Sequence, residues 1–404
     1  FLGDLATKWA DLDLKLIRTT AGFTPPVASR ALGYVGVSMY ESVVAGIDGA
    51  NSLNDQLNGL KNLPKVEANK EYNWAISFNA AQWYMSQNLW PTTSAANKKT
   101  IDSLGTALRD ALKMGTDAEV VTRSEAYGEA IAKAIFEWSK TDGGHEGFAK
   151  NFPTDYVRPV GAGKWLPTGT QQIPLQPYWG KNRNLIASNR NLPAPAPIPY
   201  STLTTSDQFK QHIEVVNVSK TLTADQRAIA LFWADGGNTF TPPGHSFNWA
   251  TIAVRSTNAK LDKAVEAYAR VGIAVADAFV NCWRCKYAFN TMRPITYIRA
   301  TIDPRWSPLI ATPPFPEHTS GHSTQSSATA TVLEAMFGNN FAFTDNTNNV
   351  FNLPARSFTS FKQAAEEAAV SRLYGGIHIR HGNEQGAAEG GRVGAAVNAL
   401  KWKK

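Results

Sequence analysis

Three short strings in the last third of the chain hold the residue types needed to bind a tetrahedral oxyanion and do chemistry on it. They are Lys286-Tyr-Ala-Phe-Asn-Thr-Met-Arg293-Pro294, Thr319-Ser320-Gly321-His322 and Ser371-Arg372-Leu-Tyr-Gly-Gly-Ile-His378. A buried anion needs cations close by, because stripping water from charge is expensive. Lys286 offers a point charge, while Arg293 and Arg372 offer forked donors that reach two oxygens at once. Pro294 holds Arg293 out of helical geometry and so fixes where its side chain leaves the chain. Ser320 and Gly321, at a helix start, present a hydroxyl and backbone N–H groups, and Gly321 has no Cβ to keep an anion away. His322 can act as acid or base near neutral pH. His378 follows Arg372 across a Gly-Gly break, which lets it turn back as an axial ligand or nucleophile. Each string alone has an ordinary reading: Lys286 as a solvated helix-end cation, Arg-Pro as a loop, His378 as a hydrogen-bonded core histidine. Their ordered occurrence within about 90 residues is the signal.

The elements that must position these residues are helical by periodicity. Leu5, Trp9, Leu12 and Leu16 fall on one face of a first helix. Thr24-Pro25-Pro26 reads as a cap with proline at the first helical positions, opening a helix to about Gly46. Further helices are expected at about 70–89, 94–114, 117–140, 206–219 and 223–235. A long one is expected over about 259–288, with Leu261, Val265, Tyr268, Val271, Val275, Phe279 and Cys282 as its apolar stripe and Lys286 near its end. Thr319 or Ser320 caps another that runs to Gly338, and the last two cover about 360–374 and 384–401. Residues 141–204 contain nine of the 22 prolines and no amphipathic period, so they read as a long ordered loop or a linker. No strand series is apparent. The expectation is an all-α fold of two helical bundles packed as one unit: residues 1–140, the Pro-rich connection 141–204, and residues 205–404 carrying the site.

Composition narrows the function. With 43% hydrophobic and 18% charged residues, a sizeable core is available and global disorder is excluded. The net charge of +7 is scattered, apart from Lys401–Lys404, and forms no basic stripe with interleaved aromatics, which argues against nucleic acid and for a small-anion pocket. No apolar run is long enough for a membrane span. Cys282 and Cys285 lack two further soft ligands at zinc spacing and read as small buried thiols. The first residue, Phe1, reads as the start of a processed or trimmed chain, and the expectation is an exported protein, periplasmic or secreted, that has lost its leader.

Together the three strings resemble the signature shared by the phosphatidic acid phosphatase type 2 superfamily and the vanadium-dependent haloperoxidases. Several details resemble the haloperoxidase branch, and within it the bacterial iodoperoxidases. Trp283 lies three residues before Lys286, where chloroperoxidases of the family carry Trp, and Phe315 lies seven before His322, where the branch carries Phe or His. Phe232-Trp-Ala-Asp235-Gly-Gly and the following Thr241-Pro-Pro-Gly-His245 are also similar. Thr319 stands where the superfamily usually has Pro. The resemblance implies vanadate as cofactor, its oxygens bound by Lys286, Arg293, Ser320, Gly321 and Arg372, with His378 bonded to vanadium. It implies His322 as the acid–base group for peroxide, Trp283 and Phe315 beside the halide and peroxide, and Asp235 as a carboxylate orienting an arginine. The activity implied is oxidation of a halide, iodide first and bromide second, by hydrogen peroxide. The alternative on the same pocket is an acid phosphatase with His378 as nucleophile. A non-catalytic oxyanion-binding protein explains the cations but leaves His322 without a purpose.

Overall fold

The computed structural model describes residues 3–404. Its first half contains helices α1 (Asp4–Thr19), α2 (Pro25–Glu41), α3 (Trp74–Leu89), α4 (Ala95–Leu112) and α5 (Ala118–Ser139). Its second half contains α6 (Asp207–Lys220), α7 (Ala224–Phe232), α8 (Thr241–Ser256), α9 (Leu261–Phe289), α10 (Pro294–Thr301), α11 (Gly321–Phe337), α12 (Phe361–Tyr374) and α13 (Arg380–Asn398). The one sheet among the described residues is a small antiparallel ribbon of β1 (Phe343–Asp345) and β2 (Arg356–Phe358).

Helix α9 is the axis of the molecule. The expected single stripe understates it, because 22 of its 29 residues are buried, on every face. A helix apolar all round is one surrounded by other elements. α2 lies along one side of it, and α11, α8 and α13 along others. The approach of α2 is close because small residues meet at the crossing. A Cβ on Gly36 would sit 2.4 Å from the Tyr268 carbonyl oxygen, and one on Gly272 would sit 2.4 Å from that of Leu32. The two halves are thus joined by direct helix packing.

The Pro-rich connection is an ordered wall, not a spacer. Among 141–204 the only helical pieces are short 3-10 turns, at Gly147–Ala149, Trp179–Lys181 and Ala187–Asn191. The segment is tied to α9 by a buried carboxylate: Asp277 accepts from the N–H groups of Leu185 (2.6 Å) and Ile186 (3.0 Å) and from Asn189 Nδ2 (2.8 Å). Burial pushes the Asp277 carboxyl up, to about 6, and these donors restrain the rise.

Sequence boundaries differ from observed ones where local chemistry intervenes. α2 stops at Glu41 rather than Gly46, with a 3-10 turn at Val44–Gly46. α13 starts at Arg380, four residues before the start expected from the sequence. α10 was not anticipated: it is eight residues long and opens on Pro294. Cys282 and Cys285 are buried free thiols, as expected. No helix among the described residues is long and apolar enough to cross a membrane.

Because the atoms facing Gly36 are backbone, they cannot yield as a flexible side chain would. Gly36→Ala should therefore destabilise the protein by about 1–3 kcal/mol through overpacking, exceeding the roughly 1 kcal/mol gained in helix propensity. A melting temperature equal to or above wild type would show that the crossing is looser than described.

Candidate active site

Four helix ends converge to build the site. α9 ends just beyond Lys286, where Asn290 adopts a left-handed conformation (φ 52°) and its N–H caps the Lys286 carbonyl at 2.8 Å. The chain then extends through Arg293 (φ −77°, ψ 155°), and Pro294 starts α10. Ser320 is the N-cap of α11, its Oγ accepting from Ser323 N–H at 3.3 Å. Arg372 lies in the last turn of α12, and the Gly375-Gly376 break brings His378 back before α13 begins.

The expected residues do come together. His378 Nε2 lies 3.0 Å from Arg293 Nη1, and the same Nη1 donates to the Ile377 carbonyl. Arg293 Nε donates to the Phe315 carbonyl at 2.7 Å. Arg372 Nη1 and His322 Nε2 both donate to one oxygen, the Trp233 carbonyl, at 3.1 and 2.7 Å. Two buried donors of these cations lack a protein partner: Arg293 Nη2 and Arg372 Nε. A buried guanidinium N–H without an acceptor is costly, and an oxyanion would satisfy both. Lys286 differs from the expectation in one respect. Its Nζ already donates to the carbonyls of Pro316 (2.9 Å), Glu317 (2.9 Å) and Thr319 (2.5 Å), which uses all three ammonium protons. It supplies charge as it stands, and a direct contact with an anion requires one carbonyl to be released.

Electrostatics point the same way. Lys286, Arg293 and Arg372 are at most 2% exposed. Burial lowers the Lys286 ammonium, the Arg293 guanidinium to about 10 and the Arg372 guanidinium to about 9; Arg293 adds to the fall at both Lys286 and Arg372. An anion among them would oppose each of these shifts. Burial, then the neighbouring cations, hold His322 and His378 well below the ordinary imidazole range, so both are neutral at pH 7. Since His322 donates through Nε2, its Nδ1 carries the lone pair and can take up a proton.

A cleft of about 510 Å³ leads to this point. His322, Arg372, His378 and Gly321 lie at its polar end, and Phe23, Leu175, Phe279, Trp283 and Phe315 form an apolar wall. Trp283 and Phe315 lie 4.9 Å apart, and Phe315 sits against both Lys286 Nζ (5.1 Å) and the Arg293 guanidinium (4.8 Å), within cation–π range. Leu175, from the Pro-rich connection, locks this wall: its carbonyl accepts from Trp283 Nε1 and Tyr287 OH, and its N–H donates to the Pro314 carbonyl.

The role expected of Asp235 needs correction. Among the described residues it bonds no arginine; Oδ2 pairs with His245 Nδ1 at 2.8 Å and Oδ1 accepts from Asn348 at 3.2 Å. It acts on Arg372 only through its field. His245 in turn meets Asp345 through Nε2 at 2.8 Å and stacks on Trp233 at 4.6 Å. Burial alone would discharge His245, but the two carboxylates overcome it and push it up to about 10. This cluster supports the residue whose carbonyl holds both His322 and Arg372. Asp345 gave no sequence signal, being 110 residues from Asp235 with no shared motif. Glu317 was also missed: it accepts from His378 Nδ1 at 2.8 Å.

Residues 266–402 match the family profile described as the VCPO second helical-bundle domain. The crystal structure of the first bacterial vanadium-dependent iodoperoxidase superposes with a TM-score of 0.90 at 35% identity, over 100% of this chain and 98% of that one. Holo and apo structures of a bacterial vanadium-dependent chloroperoxidase superpose at TM-scores of 0.71 and 0.70 with 17% and 16% identity; the holo form spans 93% of this chain and 92% of its own, the apo form 92% of each. They share the fold. No curated protein matches the sequence. The chain belongs to the vanadium-dependent haloperoxidases, and is thus a peroxidase.

The charged His245 makes a stability prediction. Its pKa is raised on folding, so its contribution is complete below the unfolded value of about 6.5 and is lost as pH rises through about 10. The gap in melting temperature between wild type and His245→Gln should therefore narrow steadily from pH 6.5 towards 10. A gap that stays constant across that range would mean His245 is neutral.

Proposed function

We propose that this protein holds vanadate in the pocket around His378 and uses hydrogen peroxide to oxidise iodide, with bromide the second substrate. The observation that carries the reading is the set of buried, unpartnered guanidinium donors, Arg293 Nη2 and Arg372 Nε, beside a neutral imidazole nitrogen. Those residues fit the group. Arg293, Arg372, the Ser320 hydroxyl and the backbone N–H at Gly321 would hold its oxygens, Lys286 would offset its charge, and His378 Nε2 would bond vanadium once Arg293 Nη1, from which its lone pair now accepts, turns to the anion. When bound, vanadate supplies a Lewis acid that makes a peroxide oxygen electrophilic without changing its own oxidation state.

The protein's part is proton handling, charge and exclusion of water. His322 takes a proton from incoming peroxide at Nδ1 while its Nε2 stays anchored to the Trp233 carbonyl. The three cations stabilise the negative charge that peroxide and halide bring into a dry site. The net reaction, halide plus peroxide plus one proton giving hypohalous acid and water, consumes the proton that His322 can return. Trp283 and Phe315 wall the halide's approach. Iodide is favoured because it is the halide most easily oxidised and because the 35%-identical structure is that of an iodoperoxidase.

A phosphatase is the second reading, because His378 Nε2 beside three cations also suits attack on a phosphate ester. The two separate in one assay set. Phosphate-free protein should gain iodide oxidation on adding vanadate and lose it to competing phosphate. His378→Ala should abolish turnover while weak vanadate binding persists. His322→Ala should retain vanadate and lose about 100- to 10,000-fold in turnover. Phosphate-ester hydrolysis without vanadate-dependent halide oxidation would make the phosphatase reading correct.

Phe315→His would place a hydrogen-bonding ring between the cations and the cleft, changing both polarity and coupling to His322. The iodide-to-bromide ratio of kcat/KM should shift with the melting temperature nearly unchanged. A large fall in melting temperature at a constant ratio would assign Phe315 to packing alone.

A further inference from the structure

We propose that Glu317 is a positioning residue that fixes His378 with its proton on Nδ1 and its lone pair on Nε2, the nitrogen that would bond the anion once Arg293 Nη1 releases it. Glu317 belongs to none of the three strings and is 3% exposed. Its Oε1 accepts from His378 Nδ1 at 2.8 Å and from the Ile379 N–H at 3.2 Å, so it clamps the ring and the backbone beside it. The opposite edge of the imidazole gives the same tautomer independently. Arg293 Nη1 can only donate, and it lies 3.0 Å from Nε2, so Nε2 is the acceptor. Space is reserved for the carboxylate: a Cβ on Gly382 would come within 2.2 Å of Oε1. The backbone of Glu317 is fixed as well, its N–H donating to the Thr291 carbonyl and its carbonyl accepting from Lys286. A carboxylate on the far nitrogen of a ligating histidine sets ring orientation and raises the basicity of the near nitrogen.

The assignment rests on the vanadate reading, because it concerns the nitrogen that would bond vanadium. Two other roles make different predictions. As a mere counter-charge to Lys286 and Arg293, Glu317 would weaken the binding of every anion, and its loss would tighten vanadate and phosphate alike. As a purely structural residue, its loss would loosen both alike. A positioning residue acts on vanadate alone, since phosphate is held by the cations and needs no bond from Nε2.

The test combines resonance and binding. Among the seven histidines of 15N-histidine-labelled wild type, His378 is assigned by comparison with His378→Gln. Its proton should be on Nδ1 in the metal-free protein. Glu317→Ala should mix the tautomers and weaken vanadate binding about 10- to 100-fold, with phosphate affinity nearly unchanged. Glu317→Gln, which keeps an acceptor oxygen, should restore the Nδ1–H form and part of the affinity. A proton on Nε2 in wild type, or vanadate and phosphate affinities moving together in both variants, would overturn the assignment. Wild type that shows the Nδ1–H resonance but no preference for vanadate over phosphate would end the cofactor reading and leave the tautomer assignment standing.

Discussion

Three cations share one dry pocket, and the rest of the structure answers to that constraint. Lys286, Arg293 and Arg372 are all buried, and desolvating a charge costs several kcal/mol even after relaxation. The fold meets the cost with oxygens. Lys286 is caged by three backbone carbonyls, Arg293 is bound to those of Phe315 and Ile377, and Arg372 to that of Trp233. Carbonyl dipoles hold the cations in place without neutralising them. The positive field is therefore retained for a ligand, and the two unpartnered guanidinium nitrogens, Arg293 Nη2 and Arg372 Nε, face it as donors.

That arrangement explains why so much chain surrounds a small site. Carbonyls aim inward only where the backbone is irregular, and the residues that supply them lie in loops and at helix ends: Trp233 after α7, Phe315 to Thr319 before α11, Ile377 before α13. Irregular backbone needs support. The long helix α9 gives it, through Asp277 to the Pro-rich connection and through Trp283 to Leu175. The Asp235–His245–Asp345 cluster supports Trp233 from behind. The first half of the chain contributes Phe23 to the cleft wall and α2 to the packing of α9.

The helices and the anion-binding residues were legible in the sequence because each has a local signature. Apolar period located α9, Pro294 after Arg293 marked an extended residue, and Gly375-Gly376 foretold the turn back to His378. What escaped was non-local. Glu317 meets His378 across 61 residues, and nothing in a lone Glu within a Pro-rich turn signals that partner. The sequence placed Asp235 near the site, but its actual partner His245 depends on how the turn after α7 meets α8. Lys286 was recognised as a cation, whereas its carbonyl cage depends on the path of residues 316–319. The Pro-rich segment lacked period because its order comes from hydrogen bonds to α9 and from irregularly spaced core anchors such as Trp179, Leu185 and Ile186, not from an amphipathic repeat.

On the proposed reading, His378 Nε2, flanked by Arg293 and Arg372, is the atom on which the cofactor would be held. A crystal structure of the protein soaked in vanadate tests this most directly. The expected result is one vanadium bonded to His378 Nε2, with its oxygens accepting from Arg293 Nη2, Arg372 Nε and the N-terminus of α11. Vanadate bound elsewhere, or held in the pocket with His378 Nε2 turned away from it, would rule out His378 as the ligand.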